Sequence, residues 1–209
     1  CVLPPLAGLI LLLRTIPADA SFRLNRLAWF GASALFFITL IFPLQLNDQP
    51  HWLTIGWALE GAALLWLFHR IPHQGLRVTG VALLAAGFAR LVLNPAVLHY
   101  ALRGPTPLFN WILLTYGLAA GCCFAGVRLL APPRDRVLGI NAPALLGTLG
   151  TILAFVLVNF EIADYFTPVG SAVRLEFSGD FARNIAYTIA WALFALVLIL
   201  AGIRQRLRA

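Results

Sequence analysis

The chain has 209 residues, of which 61% are hydrophobic and 11% charged, and its mean hydropathy is +0.88. Soluble domains are about 45–50% apolar and about 25% charged, and a chain this short cannot enclose so much apolar surface in its own core. The composition therefore excludes a water-soluble globular domain, a disordered chain and a disulfide scaffold, and it indicates that lipid surrounds most of the protein.

The net charge of +7 does not indicate a nucleic-acid partner. All 15 basic residues are arginines, and they fall in short clusters between apolar segments, where membrane topology explains them better than nucleic-acid binding does. We therefore predict membrane lipids and further transmembrane helices as partners, and no nucleic acid. Methionine is absent, and we expect the chain to be a segment of a longer protein or a processed product.

Apolar segments of about 20 residues, the length that crosses a bilayer core as a helix, predict about seven transmembrane helices. In chain order they cover residues 2–13, 27–46, 52–68, 76–93, 109–130, 142–160 and 185–203. The first is too short to span, and we expect its beginning to lie outside this chain. Backbone groups in lipid must be satisfied internally, so the predicted fold is all-α, one polytopic transmembrane helical bundle.

Local signals mark some helix ends and the longest connection. Asn141 followed by Pro143 predicts a helix start, and Ser178 or Asp180 is expected to cap the last helix. The connection 161–184 is the longest, and apolar and polar residues alternate over 173–177. This pattern is typical of a short strand or of a segment on the lipid interface, and an ordinary solvated loop is the equal alternative.

The arginines alternate between the two ends of the predicted bundle. The first, third and fifth connections and the tail hold eleven arginines: 14, 23, 26, 70, 77, 128, 134, 136, 204, 206 and 208. The second, fourth and sixth connections hold three, Arg103, Arg174 and Arg183. Because positive residues favour the cytoplasmic side, we predict a multi-pass protein of a bacterial inner membrane with its C-terminus in the cytoplasm and the loop 161–184 outside.

Glu60 lies in the middle of the third predicted helix, where a charge costs about 2.5–3.5 kcal/mol. Arg90 lies at a similar depth on the next, antiparallel helix, within reach of a long guanidinium side chain. We predict an intramembrane polar pair with a role in a pathway or ligand site. The alternatives are a structural ion pair, or an Arg90 that reaches outward while Glu60 stays protonated.

Glu161 and Asp164 are three residues apart at the end of the sixth predicted helix, and they share one face if that helix continues. Paired acids could bind a cation or act as catalytic acid and base, so both residues are weak catalytic candidates. The simpler alternative is a hydrated helix end.

Other residue patterns predict little chemistry. Pro72 separates His69 from His73, which argues against a zinc pair, and the adjacent Cys122 and Cys123 are expected to pack in a helix. Gly117 and Gly121 indicate close packing, within this chain or with helices outside it. The sequence has no phosphate-binding glycine loop, nucleophile elbow or zinc-protease motif, so no cofactor and no metal are predicted, and an enzyme is disfavoured.

Four segments taken together resemble a bacterial family of predicted membrane proteins, domain of unknown function 2339. They are Gly56–Ala62 (GWALEGA), Arg90-Leu91, Asn159–Phe166 (NFEIADYF) and Ala190–Leu193 (AWAL), followed by the arginine-rich tail. The matching positions include Glu60, Arg90, Glu161 and Trp191. The resemblance implies a long protein with more than seven spans, of which this chain is one segment, and it implies no particular activity.

Three hypotheses follow. The first is a transport or envelope-associated membrane component with Glu60 and Arg90 at its polar centre. The second is a membrane-embedded enzyme that acts on lipid-linked or envelope glycan substrates through Glu161 and Asp164 at the external face. The third is a non-catalytic membrane scaffold.

Overall fold

A computed structural model describes residues 51–93, 103, 106, 109–177 and 180–206, with positions 4, 7, 8, 10, 11, 14, 25–27, 29–34, 36 and 37 near the N-terminus. Within this part of the chain the long elements are five helices: α1 (His51–Arg70), α2 (Gln74–Leu93), α3 (Trp111–Leu129), α4 (Ala142–Phe166) and α5 (Phe181–Arg206). The strands β1 (Arg136–Val137) and β2 (Ile140–Asn141) form a small antiparallel hairpin between α3 and α4.

The all-α membrane bundle is confirmed. Four of the described helices, α2 to α5, are long and apolar enough to cross a membrane. The 20-residue helix α1 is not among these four, and Glu60 interrupts its apolar sequence. The first two predicted spans, 2–13 and 27–46, lie largely outside the described residues, although the described positions within them are helical.

The core forms where α1 packs on α2 and α3, and where α3 packs on α4. Its fully buried side chains include Leu65 of α1, Leu84 of α2, Cys123 of α3 and Leu146 of α4. Cys122 and Cys123 are both buried and carry free thiols, as expected of small packing residues.

Helices α1 and α2 cross with their backbones in close contact. A Cβ atom on Gly61 would lie 3.0 Å from the Gly80 carbonyl oxygen, and one on Gly80 would lie 3.0 Å from the Gly61 oxygen. The two backbones touch because neither residue has a side chain. On α3, a Cβ on Gly117 would make ordinary contact with Leu157, and one on Gly121 would meet no described atom within 4 Å. Packing of this face against helices outside the described residues stays a prediction.

Both predicted capping signals have a counterpart in the structure. The Asn141 side chain accepts a hydrogen bond from the Ala144 amide at 3.1 Å, with proline in the first turn of α4. The Asp180 side chain accepts from the Ala182 amide at 2.9 Å at the start of α5, and Ser178 lies outside the described residues. These oxygens satisfy amides that have no partner within the helix.

The boundary between the sixth predicted span and its loop needs correction. Helix α4 starts at Ala142 as expected but continues to Phe166, so the predicted loop 161–184 begins as helix and Glu161 and Asp164 lie on it. The alternating residues 173–177 form no strand, and Val173 is buried while Leu175 and Phe177 are exposed.

Among the described residues, helix α5 contacts the bundle through its N-terminal half. Phe155 of α4 packs against Trp191 and Phe194 at centroid distances of 6.1 and 5.2 Å, and Phe177 packs against Tyr187 and Trp191. Every residue from 195 to 204 is exposed. This apolar half of the helix has the surface expected of a segment in lipid or against another helix.

Candidate functional site

The arginine-rich connections meet at one end of the bundle. The Arg77 and Arg134 guanidinium groups lie 5.3 and 6.0 Å from the centre of the Phe68 ring. Arg77 Nη1 donates to the Arg134 carbonyl at 3.5 Å, and Arg134 Nη1 lies 2.9 Å from His69 Nδ1. We call this the arginine-rich end. The α1–α2 and α3–α4 connections are therefore on one side of the bundle, as their charge predicted.

The two histidines of the α1–α2 connection have separate contacts. His69 Nδ1 faces Arg134, whereas His73 Nδ1 accepts a hydrogen bond from the Gly75 amide at 3.2 Å, at the start of α2. Helix α1 ends at Arg70, between the two. Neither ring is placed as a helical zinc pair would be.

Glu60 is buried, with 6% of its surface exposed, and it borders a cavity of about 320 Å³. The cavity lies between α1, the start of α2 and the helical residues near position 30. Its lining consists of Trp29, Ala32, Ser33, Phe36, Glu60, Leu64, His73, Gly75, Leu76 and Thr79. Because His73 precedes α2, the cavity connects the middle of α1 with the arginine-rich end.

Arg90 is half-buried on α2, and its Nε donates to Thr54 Oγ1 of α1 at 3.2 Å. Thr54 is almost fully buried, and it precedes Glu60 by six residues, about 9 Å along the helix. The predicted partners Glu60 and Arg90 are thus on adjacent helices, with Arg90 nearer the opposite end. Their pairing as a functional unit stays a prediction.

A second polar group lies at the other end of the bundle, which we call the Asn110 end. Asn110 Nδ2 lies 3.4 Å from Glu161 Oε2 and 3.2 Å from Asp164 Oδ2, so one amide donates to both carboxyl groups. The Asn110 Oδ1 atom accepts from the Leu113 amide at 2.8 Å and caps α3. Asp164 is buried, with 2% exposed. The structure therefore brings the two predicted acids together inside the bundle.

Glu161 keeps one polar atom available. Its Oε1 atom is buried and has no hydrogen-bond partner among the described residues, and the same is true of the Thr115 hydroxyl on α3. Buried oxygens of this kind usually bind water, a proton or an ion, since an unsatisfied polar group is costly in a low-dielectric interior. The Asn110 end thus contains two buried oxygens that have no protein partner among the described residues.

Two segments that support the family resemblance are joined by a hydrogen bond. Trp191 Nε1 of α5 donates to Asn159 Oδ1 of α4 at 2.9 Å, and Asn159 Nδ2 donates to the Phe155 carbonyl at 2.7 Å. Asn159 is buried, whereas Trp191 is exposed on its other side. The hydrogen bond gives the buried asparagine amide a partner on the neighbouring helix.

Sequence reasoning missed Asn110 and Thr54. Asn110 had an available signal, because asparagine directly before an apolar run is a strong N-cap candidate. No local pattern distinguishes Thr54, which contributes only because α2 brings Arg90 to it. The contact between Asn110 and the acids is likewise tertiary and spans more than 50 residues.

The fold and these two polar groups define a class: a polytopic helical membrane protein with ionisable side chains buried in its bundle. The sequence profile of a family described as "Predicted membrane protein (DUF2339)" matches residues 68–209. The chain belongs to this family.

A further similarity is to a named transporter. The chain is 31% identical over 179 residues to a protein of Novosphingobium aromaticivorans named "Na(+)/H(+) antiporter NhaA 2". The match covers 79% of this chain and 42% of that protein, so the chain spans less than half its length. No solved structure matches the chain.

Proposed function

We propose that the chain is part of a membrane transport component that passes protons or small cations, with Glu60 as a group that binds them. The observation that carries this proposal is a carboxyl group in the middle of a helix, 6% exposed, on the wall of a cavity of about 320 Å³ that reaches one end of the bundle. The similarity to a protein named as a cation/proton antiporter supports the same class.

The chemistry of the cavity suits this role. A carboxyl group inside a membrane is expensive, and it is typically retained to bind an ion or to relay a proton. Most of the lining is apolar, and Ser33, Thr79 and His73 supply a few further polar atoms along it. An ion that loses part of its water in the cavity would find ligands there, while the apolar wall strengthens its attraction to Glu60.

Arg90 completes the polar centre in this proposal. It lies about 9 Å from Glu60 along the bundle, measured through its partner Thr54. A positive charge on the neighbouring helix favours an ionised Glu60 when no cation is bound. The carboxyl groups at the Asn110 end form a second place where a cation could bind on the far side of Arg90.

Glu60→Gln is expected to lower cation-dependent proton flux at least tenfold while the protein still folds. The amide keeps the shape of the side chain but does not exchange protons or bind a cation by charge. Flux is measured with a pH-sensitive dye in liposomes that contain the purified protein under an imposed sodium gradient. Asp135→Asn, which removes a carboxyl group in the loop before β1, is the matched control and retains the flux.

Two results would refute this function. One is wild-type flux in the Glu60→Gln protein at equal amounts in the liposomes. The other is a wild-type protein that gives no flux above protein-free liposomes under sodium, potassium and proton gradients. Circular dichroism of each sample separates a loss of transport from a loss of helices.

A second candidate is favoured by the Asn110 end. One amide holds two carboxyl groups together at the end of α4, which is an arrangement that a membrane-embedded enzyme acting on lipid-linked or envelope glycans could use as acid and base. This candidate requires turnover that Glu161→Gln abolishes and Glu60→Gln leaves intact, so the same variants separate it from a transporter.

We also infer a bacterial inner-membrane location, about seven spans and a cytoplasmic C-terminus. The gathering of Arg77 and Arg134 at one end supports this arrangement, because arginines concentrate on the cytoplasmic side. Reporter enzymes that work only outside the cytoplasm are expected to be active when fused after Gly170 and inactive when fused after Ala131. Reporter activity in the fusion after Ala131 would show that the protein has the opposite orientation.

A further inference from the structure

One cavity is surrounded by the three arginines of the predicted outer connections, Arg103, Arg174 and Arg183. This cavity of about 350 Å³ lies between the end of α4, the loop that follows it and the start of α5, and its lining includes Thr167, Ser171, Arg174, Glu176 and Arg183. Arg174 and Arg183 are thus on its wall, and Arg103 Nη1 donates to the carbonyl of Thr167, another wall residue. The Arg103 backbone also pairs with Gly170 and Ser171. We call this the arginine cavity.

The charge of this cavity is unusual for its position. Arginines are scarce at this end of the bundle, since eleven of the 15 belong to the opposite connections and the tail. Membrane topology therefore does not explain the positive charge of this cavity, because arginines prefer the cytoplasmic side and are expected to be rare in the outer connections. A local use for the guanidinium groups is the alternative explanation.

The chemistry around Arg183 points to an anion. Its side chain is only 10% exposed, and Nη2 lies 3.0 Å from Oε2 of Glu176, whose side chain is 55% exposed. A buried guanidinium group requires negative charge nearby, and its planar fork matches the oxygens of a phosphate or carboxylate. Arg174 adds a second positive charge to the wall, so the lining carries more positive than negative charge even with Glu176 ionised.

The surroundings of the cavity favour a ligand that also has apolar chains. Phe181 and Ile185, in the first turns of α5, are 80% and 41% exposed, whereas Arg183 between them is buried on the other face of the helix. The exposed face continues through Ile189 and Leu193, so the acyl chains of a headgroup in the cavity would lie along the surface of this helix. Basic pockets beside transmembrane helices bind anionic headgroups in this way.

We propose that the arginine cavity binds a phosphate-type oxyanion, with Arg183 and Arg174 as its ligands and Glu176 as a competing internal anion. The phosphate belongs either to a lipid headgroup or to a soluble molecule, and the recognition chemistry is the same for both. Removing the carboxylate of Glu176 then strengthens binding, whereas removing either guanidinium group weakens it. This opposite sign distinguishes a binding site from a purely structural ion pair.

The test measures lipid that stays bound after purification. The protein is reconstituted with phosphatidylglycerol or phosphatidylcholine, washed in salt to remove surface lipid, and analysed by native mass spectrometry. Arg174→Gln, at an exposed position, is expected to lower phosphatidylglycerol retention about fivefold or more, and Arg183→Gln at least as much. Glu176→Gln raises retention, and Arg128→Gln, an exposed arginine on α3 near the arginine-rich end, leaves it unchanged.

The source of the phosphate is decided by competition with inorganic phosphate. If phosphatidylglycerol is retained and millimolar phosphate does not displace it, the ligand is a lipid headgroup. If the protein binds inorganic phosphate but retains no lipid, and Arg174→Gln abolishes the phosphate binding, the ligand is a soluble molecule. Equal retention and equal phosphate binding in wild type, Arg174→Gln and Arg183→Gln would overturn the proposal. An equal loss in Arg128→Gln would also overturn it, because the binding would then be unspecific.

Discussion

Replacing Gly61 by alanine is expected to destabilise the protein by about 1–3 kcal/mol, the usual cost of forcing an extra carbon into a packed core. The new Cβ would lie 2.9 Å from Leu84 Cγ and 3.0 Å from the Gly80 carbonyl oxygen. The leucine side chain can shift, but the carbonyl belongs to helix α2 and moves only if the whole helix moves. Helices α1 and α2 would therefore separate at their crossing.

Unfolding of the purified protein by a denaturing detergent, followed by loss of helical circular dichroism, measures this effect. Gly121→Ala on α3 is the matched control, since a Cβ there meets nothing within 4 Å. It is expected to be neutral or to stabilise by up to about 1 kcal/mol, because alanine is the better helix former. If both variants unfold at the same detergent concentration, the close crossing at Gly61 and Gly80 is wrong.

Asn110→Asp is expected to destabilise the Asn110 end by at least about 2 kcal/mol, although aspartate caps a helix as well as asparagine does. The substitution retains the oxygen that accepts from the Leu113 amide but replaces Nδ2, the donor to both Glu161 and Asp164, by a third carboxylate oxygen. Three acidic groups would then face each other where one of them is 2% exposed. The effect follows from charge and not from capping.

Two further variants separate these contributions. Asn110→Ser keeps a capping oxygen without adding charge and is expected to cost less than Asn110→Asp. Combining Asn110→Asp with Glu161→Gln is expected to restore part of the lost stability, because the glutamine supplies an amide donor and removes one negative charge. A double-mutant cycle measures this coupling. Strictly additive losses would show that Asn110 and Glu161 do not interact, contrary to the 3.4 Å contact.

The sequence predicted those parts of the fold that depend on local composition. Apolar runs located α2 to α5 within a few residues, and Asn141 marked the start of α4 because capping is a local interaction. The end of α4 was placed six residues early. Glu161 was interpreted as the start of a loop, whereas Asn110, far away in the chain, stabilises the helical continuation by donating to both acids.

Helix crossings were harder to predict for the same reason. The spacing of Gly117 and Gly121 resembled a packing motif, yet a Cβ on Gly121 would meet nothing within 4 Å. A close backbone contact joins Gly61 and Gly80, single glycines on two different helices, and no pattern within one helix reveals such a pair. The acids Glu60, Glu161 and Asp164 were identified individually from their position in apolar segments, but their partners depend on tertiary structure.

The attachment of α5 has a mechanical consequence. Within the described part of the chain, the helix contacts the bundle through Tyr187, Trp191 and Phe194, and residues 195–204 are exposed. Arg204 lies 13 residues beyond Trp191, about 20 Å away, so a rotation of about 10° at the attachment moves it by roughly 3 Å. A small rearrangement around the Asn159–Trp191 hydrogen bond would thus produce a larger displacement at the C-terminal end of α5.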